Sequence, residues 1–183
     1  MVKKIKQAVI GSTERLLHWL RSGKNCRSCC VLCEFYQTCK EDVYSEVCKM
    51  KLIFCVAKDN GMMFFGKRQS KDATLNEWIV NHIGPSKLWV SSYTAKMFEG
   101  FENIVVDENY MANAGENDYC FVEDKEYSVD GVSEILLCKW NRAYPGDKFF
   151  NIDLKANGFK KTDSVDIVGN SHEKITIETY SKV

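Results

Sequence analysis

The sequence predicts a mixed α/β fold for residues 50–183, with a mainly parallel sheet flanked by helices. Strand-like apolar runs alternate with helical segments as far as residue 123, and this alternation favours parallel pairing. The last extended runs have no helices between them, which indicates antiparallel strands at the edge of the sheet. With 183 residues and 45% hydrophobic content, the chain has enough apolar material for one full core. Residues 1–49 are predicted to form a separate helical, cysteine-rich module.

Each element follows from its local pattern. The run KLIFCVA is typical of a buried strand and the following KDNG of a turn. In DATLNEWIVNHIG, Leu75, Ile79 and Ile83 share one face of a helix that Asp72 caps and Gly84 ends. The remaining predicted elements are extended runs at 62–65, 158–163, 164–169 and 174–180, strands at 87–92, 103–106, 119–123 and 134–140, and short helices at 94–101 and 108–115.

The first segment is basic and amphipathic. Residues 3–22 have apolar positions at helical spacing, flanked by Lys3, Lys4 and Lys6, and residues 1–50 carry nine Lys or Arg against five acids. Such a face is typical of a solvated helix, and it also suits an acidic partner or nucleic acid. We see neither a run long enough to span a bilayer nor a secretory signal, so we expect a cytoplasmic protein with reduced thiols.

Six of the nine cysteines cluster between residues 26 and 48, and their spacing predicts a metal site. Two consecutive Cys-x2-Cys pairs are followed by two further thiols, and two residues between thiolates suit one tetrahedral ion. We expect structural zinc; an iron–sulfur centre and an unmetallated set of thiols stay open. The candidate ligands are Cys26, Cys29, Cys30, Cys33, Cys39 and Cys48. The other three, Cys55, Cys120 and Cys138, lie in apolar runs and are expected in the core.

Several motifs in residues 51–183 resemble the dihydrofolate reductase family. KLIFCVAKDNGMMFFGK is similar to that family's opening strand and loop, KLWVSSYTAKMFE to its Gly-Arg-x-Thr segment, and YCFVEDKEY to its Gly-Gly-x-x-x-Tyr segment. GDKFFNIDL and the closing run KITIETYSKV are similar to its final hairpin. The resemblance implies that family's fold and an NADPH cleft. Part of this segment is also similar to short bacterial proteins labelled ribonuclease Z, although the three histidines are too dispersed for such a nuclease's metal cluster.

The resemblance breaks at the cofactor motifs. Val122 and Glu123 stand where the paired glycines let the backbone approach the cofactor pyrophosphate, and an acidic side chain there opposes phosphate. The Gly-Arg-x-Thr positions hold residues 91–94, which keep Thr94 but not the arginine. The proton-relaying acid and Pro-Trp loop of the reductases have no clear counterpart. Because both cofactor motifs are altered, NADPH is a doubtful cofactor.

Five residues are candidates for ligand binding. Arg68 lies with Lys67 and Lys71 in a loop before a helix, a natural anion site. Thr94 and Glu123 belong to the altered motifs, Arg142 lies in an aromatic turn with Trp140 and Tyr144, and an exposed His172 precedes the last strand. No catalytic residue can be assigned from the sequence.

These observations favour a non-reductase binding protein. The ligand is expected to be a small planar or nucleotide-like molecule, or else a macromolecular partner. Two alternatives stay open: a divergent NADPH-dependent reductase, and a nucleic-acid-associated accessory protein that acts through the basic zinc module.

Overall fold

A computed structural model describes residues 50–183. Predictions about residues 1–49, which include the basic helix, the six clustered cysteines and the boundary near residue 49, lie outside the described residues.

The main feature of the described part is a seven-stranded mixed sheet, as the sequence predicts. Its strand order is β5-β4-β6-β1-β7-β10-β9. The first five of these strands pair in parallel, whereas β10 pairs antiparallel with both β7 and β9. The strand bounds are β1 Met50–Val56, β4 Leu88–Val90, β5 Ile104–Val106, β6 Tyr119–Val122, β7 Val132–Lys139, β9 Phe159–Ile167 and β10 Ile175–Lys182.

Strand β1 lies at the centre of the sheet and is buried on both faces. Leu52, Phe54 and Val56 pack into one apolar cluster, while Ile53 and Cys55 pack into the other. Because successive side chains of a strand point to opposite faces, a nearly continuous apolar run is what a doubly covered strand requires. Cys55, Cys120 and Cys138 are buried in the core, which confirms their predicted position.

One long helix and two short ones accompany the sheet: α1 Ala73–Ile83, α2 Ser92–Ala95 and α3 Tyr110–Asn113. The prediction for α1 is confirmed, because Asp72 accepts a hydrogen bond from the Thr74 amide and Gly84 adopts φ 57° at the other end. Leu75, Ile79 and Ile83 are buried. Helix α2 begins two residues earlier than predicted because Ser91 caps it.

A second, three-stranded sheet was not predicted. It has the order β3-β2-β8 and is built from β2 Gly61–Phe64, β3 Lys67–Arg68 and β8 Lys148–Phe149. Two of its strands are only two residues long, too short to show a period of alternation. Strand β3 is nevertheless important, because it carries Arg68.

The prediction of two separate extended runs, at 158–163 and 164–169, is wrong. Phe159–Ile167 form the single edge strand β9, in which residues 160–164 are all exposed. The middle of this edge strand is exposed, so it does not need alternating apolar residues. Its polar residues therefore look like an interruption in the sequence. Within residues 50–183, no helix is both long and apolar enough to cross a bilayer.

Candidate functional site

Glu123 immediately follows β6, and its carboxylate is buried. Its Oε2 accepts a hydrogen bond from Oγ1 of Thr94 at 2.7 Å and lies 3.2 Å from Nη2 of Arg68. Burial raises the pKa of Glu123 above its usual value, and the Arg68 charge and the Thr94 hydrogen bond only partly counter this effect. The acid that the sequence places at the cofactor motif is therefore held inside the protein by two partners.

Arg68 reaches Glu123 because Tyr93 holds it in place. Its guanidinium carbon lies 4.5 Å from the centre of the Tyr93 ring, and Nη2 donates to the Tyr93 carbonyl at 3.0 Å. The Arg68 amide donates to the Tyr93 hydroxyl at 2.8 Å. The altered motif at residues 91–94 thus receives a guanidinium from β3 in place of one of its own.

Helix α2 and the loop after β6 are joined by further polar contacts. Ser91 donates from its hydroxyl to Asp124 at 3.0 Å, and the Ser92 amide donates to Glu108 at 3.0 Å. Lys125 forms an ion pair with Glu108. These contacts fix the segment that carries Glu123 against the start of α2.

A cleft of about 750 Å³ opens between α1, α2 and the loop that follows β9. Its cationic groups come from Arg68 and three exposed lysines, Lys67, Lys71 and Lys96. None of these lysines lies within ion-pair distance of a carboxylate from residues 50–183. The loop that was predicted to bind an anion therefore lines this cleft.

Asn76 supplies the cleft with an unused hydrogen-bond acceptor. The side chain is 7% exposed, and its Nδ2 donates to the Met97 carbonyl at 3.0 Å. Its Oδ1 is buried and has no hydrogen-bond partner among residues 50–183. Because a buried polar atom without a partner is costly, this oxygen is suited to accept an N–H from a ligand. Sequence reasoning missed Asn76, since it interrupts the apolar face of α1 without any motif.

The carboxylate of Asp72 is the most heavily bonded group near the cleft. It accepts from the amides of Thr74, Asn170 and Ser171 at 2.8–3.0 Å and from the Ser171 hydroxyl at 3.0 Å. Burial by itself disfavours the charged form, but these donors and His172 outweigh it and hold the pKa of Asp72 well below its usual range.

His172 is buried, and the expectation of an exposed histidine is wrong. Its Nδ1 lies 3.2 Å from Oδ2 of Asp72, and its Nε2 lies 3.2 Å from the Ser70 hydroxyl and 3.1 Å from that of Tyr144. The ring stacks on Trp140 with centroids 4.7 Å apart. The reason is long-range: the loop before β10 folds over the start of α1, about 100 residues away in sequence.

The five candidate ligand residues do not share one cavity. Arg68 lines the 750 Å³ cleft, while Arg142 and His172 line a neighbouring cavity of about 500 Å³. Thr94 and Glu123 line neither cavity. Glu123 is connected to the cleft through its ion pair with Arg68, and Thr94 donates a hydrogen bond to Glu123. Trp140 and Tyr144 are used to hold His172, so the aromatic turn has a packing role. Residues 50–183 contain no cluster of three or more metal-ligating side chains.

Comparison with known proteins identifies the fold. No family model and no curated protein matches the sequence. Among solved structures, dihydrofolate reductase from Enterococcus faecalis, in complex with NADP(H) and RAB-propyl, matches with a TM-score of 0.52 and 13% identity. The match covers 73% of this chain and 95% of that chain. At this identity the comparison shows a dihydrofolate-reductase-like fold alone, and the likeness to proteins labelled ribonuclease Z stays a prediction.

Proposed function

We propose that this chain, whose described part has a dihydrofolate-reductase-like fold, binds a small anionic ligand with a planar group and is not a reductase. The ligand would occupy the 750 Å³ cleft, a volume typical of small-molecule sites. The observation that carries the proposal is the cleft's composition. Three lysines with no acidic partner among residues 50–183, a guanidinium placed over the Tyr93 ring, and Asn76, whose buried Oδ1 has no partner within those residues, line the same cavity.

The lysines of the cleft argue for an anion. Lys67 and Lys71 lie close together before α1 and Lys96 follows α2, and all three line this cavity without an acidic partner from residues 50–183. Asp72, the cavity's one carboxylate, is saturated by donors from the protein. The cavity therefore has a positive potential that favours a phosphate or carboxylate.

Tyr93 and Asn76 favour a ligand that has a planar group. The Arg68 guanidinium lies over the Tyr93 ring at the cavity wall, and aromatic and guanidinium groups are favourable surfaces for a planar ligand. Asn76 Oδ1 would accept an N–H from the same ligand. A nucleotide monophosphate or a heteroaromatic carboxylic acid has both features.

NADPH does not fit the residues that stand at the family's cofactor motifs. The Thr94 hydroxyl and Nη2 of Arg68 both bind the Glu123 carboxylate, so these two donors are already used. Because Arg68 offsets the charge of Glu123, occupied donors and filled space oppose binding of the cofactor phosphate more than net charge repulsion does. No reaction step is assigned to this cofactor.

A divergent NADPH-dependent reductase is the competing function, favoured by the fold and by the retained Thr94. The two are separated by titrating the protein with NADPH while following the fluorescence of its four tryptophans. Micromolar quenching by NADPH, or its oxidation in the presence of dihydrofolate, would overturn the binding-only proposal.

For residues 1–49 we propose structural zinc bound by the clustered cysteines, together with contact to an acidic partner or nucleic acid through Lys3, Lys4 and Lys6. The support is the thiol spacing and the local basic surplus. Salt-sensitive retardation of nucleic acid that is lost on charge reversal of the three lysines would support the contact, and its absence would oppose it.

The ligand proposal is tested with AMP and adenosine as probes. AMP should raise the melting temperature more than adenosine, because only AMP carries the anion. Lys71→Glu should weaken AMP binding by about fivefold or more, since a contact charge is reversed. Lys155→Glu, in an exposed loop that lines neither cavity, is the matched control. Equal shifts with both probes would refute the anion site.

A further inference from the structure

Ser70, His172 and Asp72 form a continuous chain of polar contacts at the wall of the cleft. The Ser70 hydroxyl lies 3.2 Å from His172 Nε2, and His172 Nδ1 lies 3.2 Å from Asp72 Oδ2. We propose that these residues are the nucleophile, general base and orienting carboxylate of an acyl-transfer site that hydrolyses small anionic esters. This inference rests on the proposed ligand cleft and names a class of substrate for it.

Asp72 sets the orientation of the imidazole. An ionised carboxylate only accepts hydrogen bonds, so the nitrogen facing it, Nδ1, must carry a proton. The depressed pKa of Asp72 agrees with a charged carboxylate. In the neutral ring Nε2 is then the unprotonated nitrogen, and its lone pair is available to accept the proton of Ser70.

The ring is also held against rotation. Trp140 stacks on one face at 4.7 Å, and the Ser171 hydroxyl lies 3.0 Å from Nδ1. The Tyr144 hydroxyl lies 3.1 Å from Nε2 and shares that nitrogen with Ser70. Since Nε2 has a single lone pair, Tyr144 competes with Ser70 and lowers the fraction of time for which the serine is activated.

Ser70 is the member of the chain that a ligand can reach. It is half-buried and lines the 750 Å³ cleft, whereas His172 is 4% exposed and Asp72 is 2% exposed. The lysines of the cleft flank the serine, and Lys71 follows it directly in sequence. They favour an ester that carries a carboxylate or phosphate, and their potential also favours the negative charge of a tetrahedral intermediate.

The reaction balances with water as the only co-reactant. Ser70 Oγ attacks the ester carbonyl carbon and passes its proton to His172 Nε2. The bond to the alkoxy oxygen breaks, and the leaving alkoxide takes that proton as an alcohol. Water then attacks the acyl-serine and gives a proton to Nε2, and this proton returns to Oγ as the acid is released.

A purely structural role predicts different behaviour. In that case Ser70 and His172 would only tie the loop before β10 to the start of α1, and the serine would be no more reactive than any other. The discriminating property is therefore covalent reactivity of one named hydroxyl, which loop anchoring does not produce.

The test is labelling of the full chain with a fluorophosphonate, which bonds to an activated serine oxygen with loss of fluoride. We expect a single adduct on Ser70 by peptide mass mapping, none in Ser70→Ala, and labelling slower by on the order of 100-fold in His172→Asn. The control is Ser86→Ala, which removes a serine that is equally half-buried but follows the other end of α1. It should label as the wild type does.

The melting temperatures of the variants show whether they are folded. Labelling of the wild-type protein tests the inference even if a variant does not fold. Failure of folded wild-type protein to label at Ser70, or equal labelling of several serines, overturns the inference. If AMP still binds in that case, the ligand proposal survives while the acyl-transfer site does not. Hydrolysis of p-nitrophenyl hemisuccinate that disappears in Ser70→Ala would support both.

Discussion

The Glu123 carboxylate accepts a hydrogen bond from the Thr94 hydroxyl at 2.7 Å, and both side chains are more than nine-tenths buried. Arg68 completes the arrangement from a different sheet, at 3.2 Å from the same carboxylate oxygen. Three segments are thus joined at one oxygen: the end of β6, the first turn of α2 and the short strand β3. This contact gives Glu123 a structural role, because it ties the three segments together.

The ion pair predicts a strongly non-additive pair of substitutions. Arg68→Met removes the cation and leaves a buried carboxylate, which should cost on the order of 3 kcal/mol in the free energy of unfolding. Adding Glu123→Leu removes the stranded acid as well, so the double variant should be more stable than Arg68→Met alone. Urea unfolding of the two single variants and the double variant measures the coupling. Additive effects would show that the pair contributes nothing.

Glu123 also predicts a pH dependence of stability. Its pKa is raised in the folded protein, so the folded state holds this proton more tightly than the unfolded state does. Its contribution to stability is therefore fully present below the ordinary value of 4.5 and is lost as the pH rises through the raised folded pKa. Glu123→Gln does not titrate and provides the reference.

The measurement is the unfolding free energy of the wild type minus that of Glu123→Gln, followed upward in pH. This difference should fall across the window above pH 4.5 and then level off. A difference that stays constant or increases with pH would contradict the raised pKa.

The clustered cysteines predict metal loss without collapse of the described domain. Substituting Cys26 and Cys29 with serine should release zinc if this pair supplies two of the four thiolates, because a site left with only two of its thiolates binds the ion weakly. Residues 50–183 have their own core and should keep their melting transition. Elemental analysis measures the metal content, and calorimetry measures the melting transition separately. Unchanged metal content would refute the assignment of these two ligands.

The predictability of this fold from its sequence depends on how local each signal is. The buried run of β1 and the capped, amphipathic α1 were predictable because a few adjacent residues carry their patterns. The two-residue β3 and the polar middle of β9 were not, since neither shows a period. For the site, Arg68 and Glu123 were identified one by one. Their pairing, and the burial of His172 on Asp72, require contacts between distant segments that no local pattern encodes.

Gly169 predicts a sharp steric effect beside Asp72. A Cβ at this position would meet Asp72 Cγ at 2.8 Å and the Ile175 side chain at 2.9 Å, both closer than real contacts allow. Gly169→Ala should therefore displace the loop that donates to the carboxylate and cost about 1–3 kcal/mol. Gly115→Ala, where the nearest atom is a side-chain oxygen of Asp118 at 3.1 Å, is the milder control. Equal stability of both variants in urea would show that the loop adapts freely.

Substituting Asn76 should lower the affinity for AMP without a large change in the free energy of unfolding. In the free protein its Oδ1 is buried without a partner, so Asn76→Leu removes an unfavourable group while losing the hydrogen bond to the Met97 carbonyl. These effects oppose each other, and the unfolding free energy should change by less than about 1 kcal/mol. Affinity for AMP should fall by about fivefold, since the ligand loses one hydrogen bond. Calorimetric titration beside urea unfolding measures both quantities. A large loss of stability with unchanged AMP affinity would mean that Asn76 serves the core and not the ligand.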